Sequence, residues 1–369
     1  MKKELLRAGK IPSLDGLRAV AIVIVLWGHA GFPTLIREST GVTIFFFLSG
    51  YLITTLMRAE ADKRGGVSLK NFYLRRVLRI FPSLYIVLAG AVALSLVGLI
   101  PNAMNAGGVA SSATFLSNYF IIFEGRDGLP GGMNALWSLA VEEHYYMLFP
   151  LLYVAMRKWL PNRLHQALVL AGLCFVILAW RCFLVWQDAG FDRVYLSTDT
   201  RADAILWGAI LAIIANPVYG EVPKPRNKLV LPAVLLVSAA AFYLVSRAPD
   251  SIGMSVGYTV QSIVLAGVFV PLILGPESVF GRVLNWKPIV YIGVLSYSLY
   301  LVHRPLLILA DEHLNLPHAA EAVIGLAAAL IVALLIRLLV ERPIEGLRGA
   351  LRGPAKQAES QRPRHMAER

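Results

Sequence analysis

The stretch LDGLRAVAIVIVLWGHAGFPT, residues 14–34, decides the fold class of this chain. Ten consecutive apolar or small residues separate Arg18 from His29, and the whole stretch has the length, about 20 residues, at which a helix crosses the hydrocarbon core of a bilayer. Such runs recur along the 369 residues, of which 57% are apolar and 16% are charged. Soluble domains carry about 25% charged residues, so the composition excludes a disordered chain and predicts a polytopic membrane protein.

Further apolar runs extend this pattern to about ten predicted crossings. They lie at approximately 14–34, 42–57, 82–100, 142–157, 167–187, 203–217, 229–246, 255–274, 289–310 and 320–340. An additional run, 111–123, is too short and too polar at its start to cross alone, so we predict a re-entrant or interfacial segment there. The predicted fold is an all-α transmembrane helix bundle.

The distribution of Lys and Arg predicts the orientation of this bundle. Basic residues concentrate in every second connection, namely before residue 14, within 58–79, 157–163, 224–228 and 282–287, and after 345. Because cytoplasmic loops carry the excess of Lys and Arg, we predict that both termini are cytoplasmic. The net charge of +12 comes from basic residues in the predicted cytoplasmic connections, where they set the topology and contact membrane lipid. We therefore predict no nucleic-acid partner. We divide the chain into a membrane domain, 1–345, and a basic, disordered tail, 346–369.

Charged and polar groups inside the predicted spans are the candidates for function, because each is costly in lipid unless it is paired or hydrated. Arg18 and His29 are eleven positions apart in the first span, which places them on one helix face about 16 Å apart. Each lies towards a different side of the membrane. A snorkelling anchor for Arg18 and a simple interfacial contact for His29 remain open alternatives.

Two further groups lie in the first half of the chain. In the second predicted span, small and polar residues follow three phenylalanines and leave room for an elongated ligand, or only for helix packing; these residues are Ser49, Gly50 and Tyr51. At the start of the third span, the motif NFYLRRVLRIF supplies a cationic cluster that can bind phosphate or can act only as a topology signal; its members are Arg75, Arg76 and Arg79.

The remaining candidates lie at the predicted outer ends of later spans. We place Glu142 and Glu143 at the extracytoplasmic mouth of the fourth span, where at most one of two adjacent carboxylates should point into the bundle. Before the sixth span, charges of alternating sign form either a salt-bridged cap or a sugar-binding site; they are Asp199, Arg201 and Asp203. The ninth span carries polar side chains in an apolar helix, among them Tyr297, Ser298 and His303.

Taken together, these motifs resemble the acyltransferase family 3 integral-membrane proteins. The resemblance covers nearly the whole chain and rests on several ordered motifs. They are IPSLDGLRAVAIVIVLWGHA, FFFLSGYLI, FYLRRVLRIFPSLY, WSLAVEEHYYMLFP, DTRADAILWGAILA, IGVLSYSLYLVHRPL and VERP. The chain departs from the common pattern at His144 and Ala140, where Gln and Ser are frequent, so acceptor contacts are expected to differ.

The resemblance implies a membrane-bound O-acyltransferase of the bacterial cytoplasmic (inner) membrane. It implies transfer of an acyl group, most often acetyl, from cytoplasmic acyl-CoA to a hydroxyl of an extracytoplasmic or lipid-linked glycan. His29 would then be the base, or would itself be acylated, with Glu142 or Glu143 orienting it. The arginines with the 49–51 segment would bind acyl-CoA, and the polar groups of the sixth and ninth spans would bind the acceptor or the oxyanion.

Other functions remain open from sequence alone. The same chemistry can serve a lipid or secondary-metabolite acceptor, and ten helices with charges at both mouths also suit a secondary transporter or flippase, or an inactive scaffold. Seven scattered histidines and two cysteines show no metal-ligand spacing, so we expect no metal and no bound cofactor, with acyl-CoA as co-substrate. Since family members often carry an extra extracytoplasmic domain, we expect either an autonomous membrane unit or an extracytoplasmic partner protein.

Overall fold

The computed structural model describes residues 11–350, without the side chains of 348–350. Between residues 11 and 350 the regular structure is helical and no strand occurs, which confirms the predicted all-α class. Residues 1–10 and 351–369, which include most of the predicted tail, lie outside the described part of the chain.

The helices follow one another with short connections. Those of the first half are α1 Leu14–His29, α2 Glu38–Arg64, α3 Leu69–Leu96, α4 Ala106–Ala113, α5 Ser117–Glu124, α6 Leu136–Trp159 and α7 Arg163–Trp186. Those of the second half are α8 Phe191–Tyr195, α9 Thr198–Ile214, α10 Val230–Ser246, α11 Tyr258–Leu274, α12 Val279–Leu284, α13 Lys287–His313, α14 His318–Ile336 and α15 Arg342–Ala350. Short 3-10 turns occur at Met133–Ala135 and Pro217–Tyr219, an α turn at Asp250–Ile252, and π turns at Gly253–Gly257 and Arg337–Glu341.

Seven helices of the described chain are long and apolar enough to cross a membrane, so the protein is a multi-pass membrane protein. They comprise Glu38–Arg64, Leu69–Leu96, Arg163–Trp186, Phe191–Tyr219, Asp250–Leu274, Lys287–His313 and His318–Leu347. The other three predicted spans coincide with α1, α6 and α10, so the number ten stays a prediction, as do the sides of the termini. Helices α4 and α5 have eight residues each and are about 12 Å long, too short to cross alone.

Helices α2 and α9 form the centre of the bundle. In the most apolar 18 residues of each helix, 78% are buried in α2 and 72% in α9. The corresponding share is 22% in both α7 and α14, so these two helices form part of the lipid-facing perimeter. The central pair packs backbone to backbone through two glycines. A Cβ atom on Gly50 would lie 1.8 Å from a carbonyl oxygen of α9, and one on Gly208 would lie 2.1 Å from a carbonyl oxygen of α2. Only glycine allows this approach.

A similar contact joins α1 to α13. A Cβ atom on Gly293 would lie 1.8 Å from the carbonyl oxygen of Asp15, so the two helix backbones touch near the start of α1. The two helices pack along much of their length. This pairing brings the C-terminal residue of α1, His29, alongside His303 of α13. We refer to this end of the bundle as the His29 end.

Candidate functional site

A cavity of about 120 Å³ lies between α1, α2, α3, α6 and α13. We call it the arginine cavity. Its polar lining residues are Asp15, Arg18, Ser49, Arg76, Arg79, Ser138, Glu142, Tyr146, Ser296, Tyr297 and Tyr300, and the rest of its wall is apolar. Two arginines of the predicted phosphate-binding cluster thus face the same space as the arginine of the first span.

A second cavity of about 180 Å³ adjoins the first. Both are lined by Arg18, Arg79 and Tyr297, and the second is also lined by Arg337, Glu341 and Glu345 of the chain's last described helical segment. Arg18 and Arg79 therefore lie at the junction of the two cavities. Two guanidinium groups at this junction are placed to bind a phosphate group.

Arg76 forms the central ion pair of the arginine cavity. Its Nη2 atom lies 3.0 Å from Oε1 of Glu143 and 3.8 Å from Oε2 of Glu142. Its guanidinium carbon also lies 3.4 Å from the ring centre of Tyr146. Arg76 is seven residues into α3 and Glu143 is seven residues into α6, so each lies about 10 Å inside its helix, from opposite ends of the bundle. The pair is therefore largely buried inside the bundle, away from the ends of both helices.

The predicted placement of Glu142 and Glu143 at the outer mouth, beside His29, is wrong. The apolar runs begin later than the helices do: α3 starts at Leu69 because the Ser68 hydroxyl accepts the backbone N–H of Asn71, and α6 starts at Leu136. Both carboxylates are consequently deep in the bundle, and both contact one arginine although they are adjacent in sequence. Their catalytic assignment stays a prediction.

The predicted acyl-CoA residues divide between the cavity and its surroundings. Ser49 lines the cavity and donates to Oε1 of Glu142 over 3.0 Å. Gly50 instead packs against α9, and the Tyr51 hydroxyl donates to Oδ1 of Asn216 over 2.7 Å in the core. Arg75 pairs with Glu60 at 3.1 Å and does not line either cavity. Gly50 and Tyr51 therefore serve the contacts between helices. Arg75 lies outside the cavity that Arg76 and Arg79 line.

The two histidines of the first and ninth predicted spans are in direct contact. Nδ1 of His29 lies 2.8 Å from Nε2 of His303, and Nδ1 of His303 lies 2.7 Å from the carbonyl oxygen of Tyr300. A carbonyl oxygen only accepts, so Nδ1 of His303 carries the proton and its Nε2 is an acceptor in the neutral ring. His29 must then donate from Nδ1, which leaves a lone pair on its Nε2. His303 therefore holds His29 in the tautomer that a general base requires.

Tyr300 connects this histidine pair to the arginine cavity. Its side chain lines the cavity while its carbonyl oxygen accepts from His303. Its hydroxyl donates to the carbonyl oxygen of Ala135 over 2.9 Å and accepts from Ser138 over 2.6 Å. The cavity wall and the histidine pair therefore share one residue, and the network fixes the position of that residue.

The other predicted acceptor or oxyanion residues of α13 have partners away from His29. The Tyr297 hydroxyl donates to the carbonyl oxygen of Ile80 over 2.8 Å, and the Ser298 hydroxyl donates to Oε1 of Glu341 over 2.5 Å. Tyr297 still lines both cavities. Within this group, His303 is the residue that contacts His29.

The three alternating charges before the sixth predicted span separate into three environments. Asp199 accepts from Arg193 at the partly exposed surface, which is the arrangement of a salt-bridged cap. Asp203 pairs with Arg181 at 3.0 Å, and both side chains are fully buried. Arg201 is also fully buried and lies 3.5 Å from the ring centre of Tyr258. The structure therefore does not gather the three charges into one site.

Sequence reasoning missed two features of the His29 end. Arg304 follows His303, and its Nη1 atom lies 3.5 Å from the carbonyl oxygen of His29. A charged residue inside an apolar span was the signal that could have identified it. The second feature is a group, Asp311, His318 and Glu321, whose possible ligand atoms lie within 4.8 Å of one another. Two of these three side chains are exposed, and this group by itself does not define a metal site.

The fold and site define a class, a helical membrane protein with a cationic cavity and a paired histidine. The family model described as "Acyltransferase domain" matches residues 11–338, so the chain belongs to that family. The resemblance to the acyltransferase family 3 proteins is thereby confirmed.

Relatives with curated names agree with this membership. The chain is 31% identical over 347 residues to the peptidoglycan O-acetyltransferase OatA of Listeria monocytogenes, covering 90% of this chain and 56% of that protein. It is 28% identical over 315 residues to the "Putative peptidoglycan O-acetyltransferase YrhL" of Bacillus subtilis, covering 81% of this chain and 49% of that protein. The chain thus spans about half the length of these relatives. No solved structure matches it significantly.

Proposed function

We propose that this protein transfers an acyl group, most often acetyl, from cytoplasmic acyl-CoA to a hydroxyl of an extracytoplasmic or lipid-linked glycan. The observation that carries the proposal is the histidine pair, in which His303 leaves a lone pair on Nε2 of a neutral His29 and which is connected through Tyr300 to a cavity lined by three arginines. The names of the relatives, peptidoglycan O-acetyltransferases, support a glycan acceptor. The proposed location is the bacterial cytoplasmic (inner) membrane.

The donor would enter through the two cavities. A CoA thioester has a polyanionic head and a long thin arm, and guanidinium groups bind phosphate through paired N–H donors. Arg18 and Arg79 at the junction would hold the phosphates, while the arm follows α1 towards His29. No bound cofactor is needed in this scheme, since acyl-CoA is a co-substrate.

The chemical step would use His29 as a general base. Its Nε2 takes the proton of the acceptor hydroxyl as the hydroxyl oxygen attacks the thioester carbonyl carbon. The carbon–sulfur bond then breaks, and the CoA thiolate leaves and receives the proton from His29. In the second form of the proposal Nε2 attacks the thioester carbonyl carbon and CoA leaves as its thiolate. The acceptor hydroxyl oxygen then attacks the acyl carbon, the bond to Nε2 breaks, and the hydroxyl proton is taken up by the CoA thiolate.

Replacement of His29 by alanine tests the proposal. We expect the variant to insert and purify like the wild type but to lose acyl transfer from acetyl-CoA to a cell-wall glycan, measured as label in the recovered glycan. A matched control is His165→Ala, since His165 lies at the start of α7, away from the cavity. Wild-type transfer by the His29 variant would refute the assignment, and substrate movement without thioester cleavage would favour a transporter.

A further inference from the structure

Arg304 is a cation beside the histidine pair. It follows His303 in α13, is half-buried, and directs Nη1 towards the carbonyl oxygen of His29 at 3.5 Å. Among the residues that the structure describes, no carboxylate forms an ion pair with it, and the charge that acts on it is another arginine, Arg126. A half-buried guanidinium without a carboxylate partner keeps its N–H donors available to an anionic ligand.

Two other arginines of the His29 end are already paired. Arg37 contacts Asp250 at 2.5 Å, and Arg126 contacts Asp192. A further carboxylate of this region, Glu38, packs against Gly28 from α2 and does not join Arg304 in an ion pair. Arg304 therefore differs from Arg37 and Arg126 in having no carboxylate partner among the described residues, and it contacts the backbone of His29 itself.

We propose that Arg304 binds an anionic group of the acceptor, a carboxylate or a phosphate, and so selects an acidic glycan. This inference rests on the proposed function. The planar guanidinium pairs with two oxygens of such a group and fixes its orientation. Since Arg304 and His29 are held together by the contact between α1 and α13, an acceptor anchored at Arg304 presents a nearby hydroxyl to Nε2 of His29.

A purely structural role for Arg304 predicts a different result. A cation near the last carbonyl groups of α1 also stabilises that helix end. Loss of such a contact would lower the stability of the protein and its activity towards every acceptor alike. Acceptor charge preference is therefore the readout that separates ligand binding from helix capping.

The experiment compares three acceptors with purified protein and labelled acetyl-CoA. They are one glycan oligosaccharide with its sugar carboxylate, the same oligosaccharide with that group reduced to an alcohol, and the same oligosaccharide with a phosphate in its place. For the wild type we expect a KM at least about tenfold lower for the carboxylate or the phosphate form than for the alcohol. Arg304→Gln should remove that preference, Arg304→Lys should keep part of it, and the paired Arg37→Gln should leave it unchanged.

Each outcome decides the proposal. A preference that disappears in Arg304→Gln supports it, and the better of the two anionic acceptors identifies the ligand as carboxylate or phosphate. Equal use of charged and uncharged acceptors by the wild type, or an equal loss towards all three in Arg304→Gln, would overturn it while leaving the proposed function intact. Failure of the wild type to acylate any of the three would instead overturn the proposed function together with this inference.

Discussion

Replacing His303 by leucine should remove most of the catalytic rate while leaving acyl-CoA binding intact. His303 accepts from Nδ1 of His29 over 2.8 Å and donates to the carbonyl oxygen of Tyr300 over 2.7 Å. Leucine fills similar space but accepts no hydrogen bond. The proton on His29 then has no partner at Nδ1 and can occupy Nε2, where it blocks abstraction of the acceptor proton.

The magnitude follows from the role of the base. General acid–base catalysis contributes roughly 10² to 10⁴ in rate, and this range corresponds to about 3–5 kcal/mol of transition-state stabilisation. We expect kcat of His303→Leu to fall by about 10- to 100-fold, less than on removal of His29 itself, because a free imidazole still populates the productive tautomer part of the time. KM for acetyl-CoA should change by no more than about twofold, since the arginines are unaltered.

The assay is release of CoA thiol from acetyl-CoA in the presence of the glycan acceptor. His303→Gln is the informative companion, because its amide oxygen can take the place of Nε2 as acceptor for His29. The kcat of His303→Gln should be at least about tenfold higher than that of His303→Leu. A leucine variant with nearly wild-type kcat, or a glutamine variant no better than leucine although both are monodisperse, would refute the tautomer argument.

Three further predictions concern folding and pH. Asp203→Asn leaves the fully buried Arg181 without its carboxylate and should lower the free energy of unfolding by about 3–5 kcal/mol. The partly exposed Asp199→Asn should lower it by only ~0–1 kcal/mol, and thermal unfolding in detergent measures both. Gly50→Val should prevent correct assembly, since its Cβ atom would lie 1.8 Å from a carbonyl oxygen of α9, whereas Gly90→Val meets no atom within 4 Å and should purify normally. Burial raises the pKa of Glu221, but hydrogen bonds from two arginines and a backbone N–H outweigh it and hold this pKa at about 2, below its ordinary value of 4.5. The stabilisation from this carboxylate is complete above about pH 4.5 and is lost as the pH falls towards 2; Glu221→Gln should lack this pH-dependent loss.

Hydropathy and motif spacing predict the fold class and the shared helix face of Arg18 and His29. They do not predict that Arg76 and Glu143 form a buried ion pair. An apolar run marks where side chains begin to face lipid. The first turns of α6 are buried against protein instead, so they can be polar and still lie inside the bundle. For this reason the sequence pattern assigns Glu142 and Glu143 to the outer mouth, whereas the structure has them buried against Arg76.

The sequence also does not predict which side chains pair between different helices. The pairing of Arg181 with Asp203 joins α7 to α9, and that of His29 with His303 joins α1 to α13. Local periodicity orients a side chain on its own helix but does not say which helix it meets. The close approach at Gly293, which brings α13 against α1, follows from backbone contact and not from an apolar pattern.

The role of Arg76 requires a paired substitution, because its charge is already opposed by Glu143 at 3.0 Å. Arg76→Ala alone would leave a buried carboxylate without its cation, at a cost of about 3–5 kcal/mol, and would confuse misfolding with weaker donor binding. The double variant Arg76→Gln, Glu143→Gln removes both charges of this pair and keeps two hydrogen-bonding side chains. Glu142, 3.8 Å from Arg76, retains its hydrogen bonds from Ser49 and Tyr146. If Arg76 binds acyl-CoA, this variant should fold and still need about tenfold more acetyl-CoA for half-maximal rate, whereas Arg75→Gln should not. A wild-type KM in the double variant would mean that Arg76 serves the bundle and that the donor is held by Arg18 and Arg79 alone.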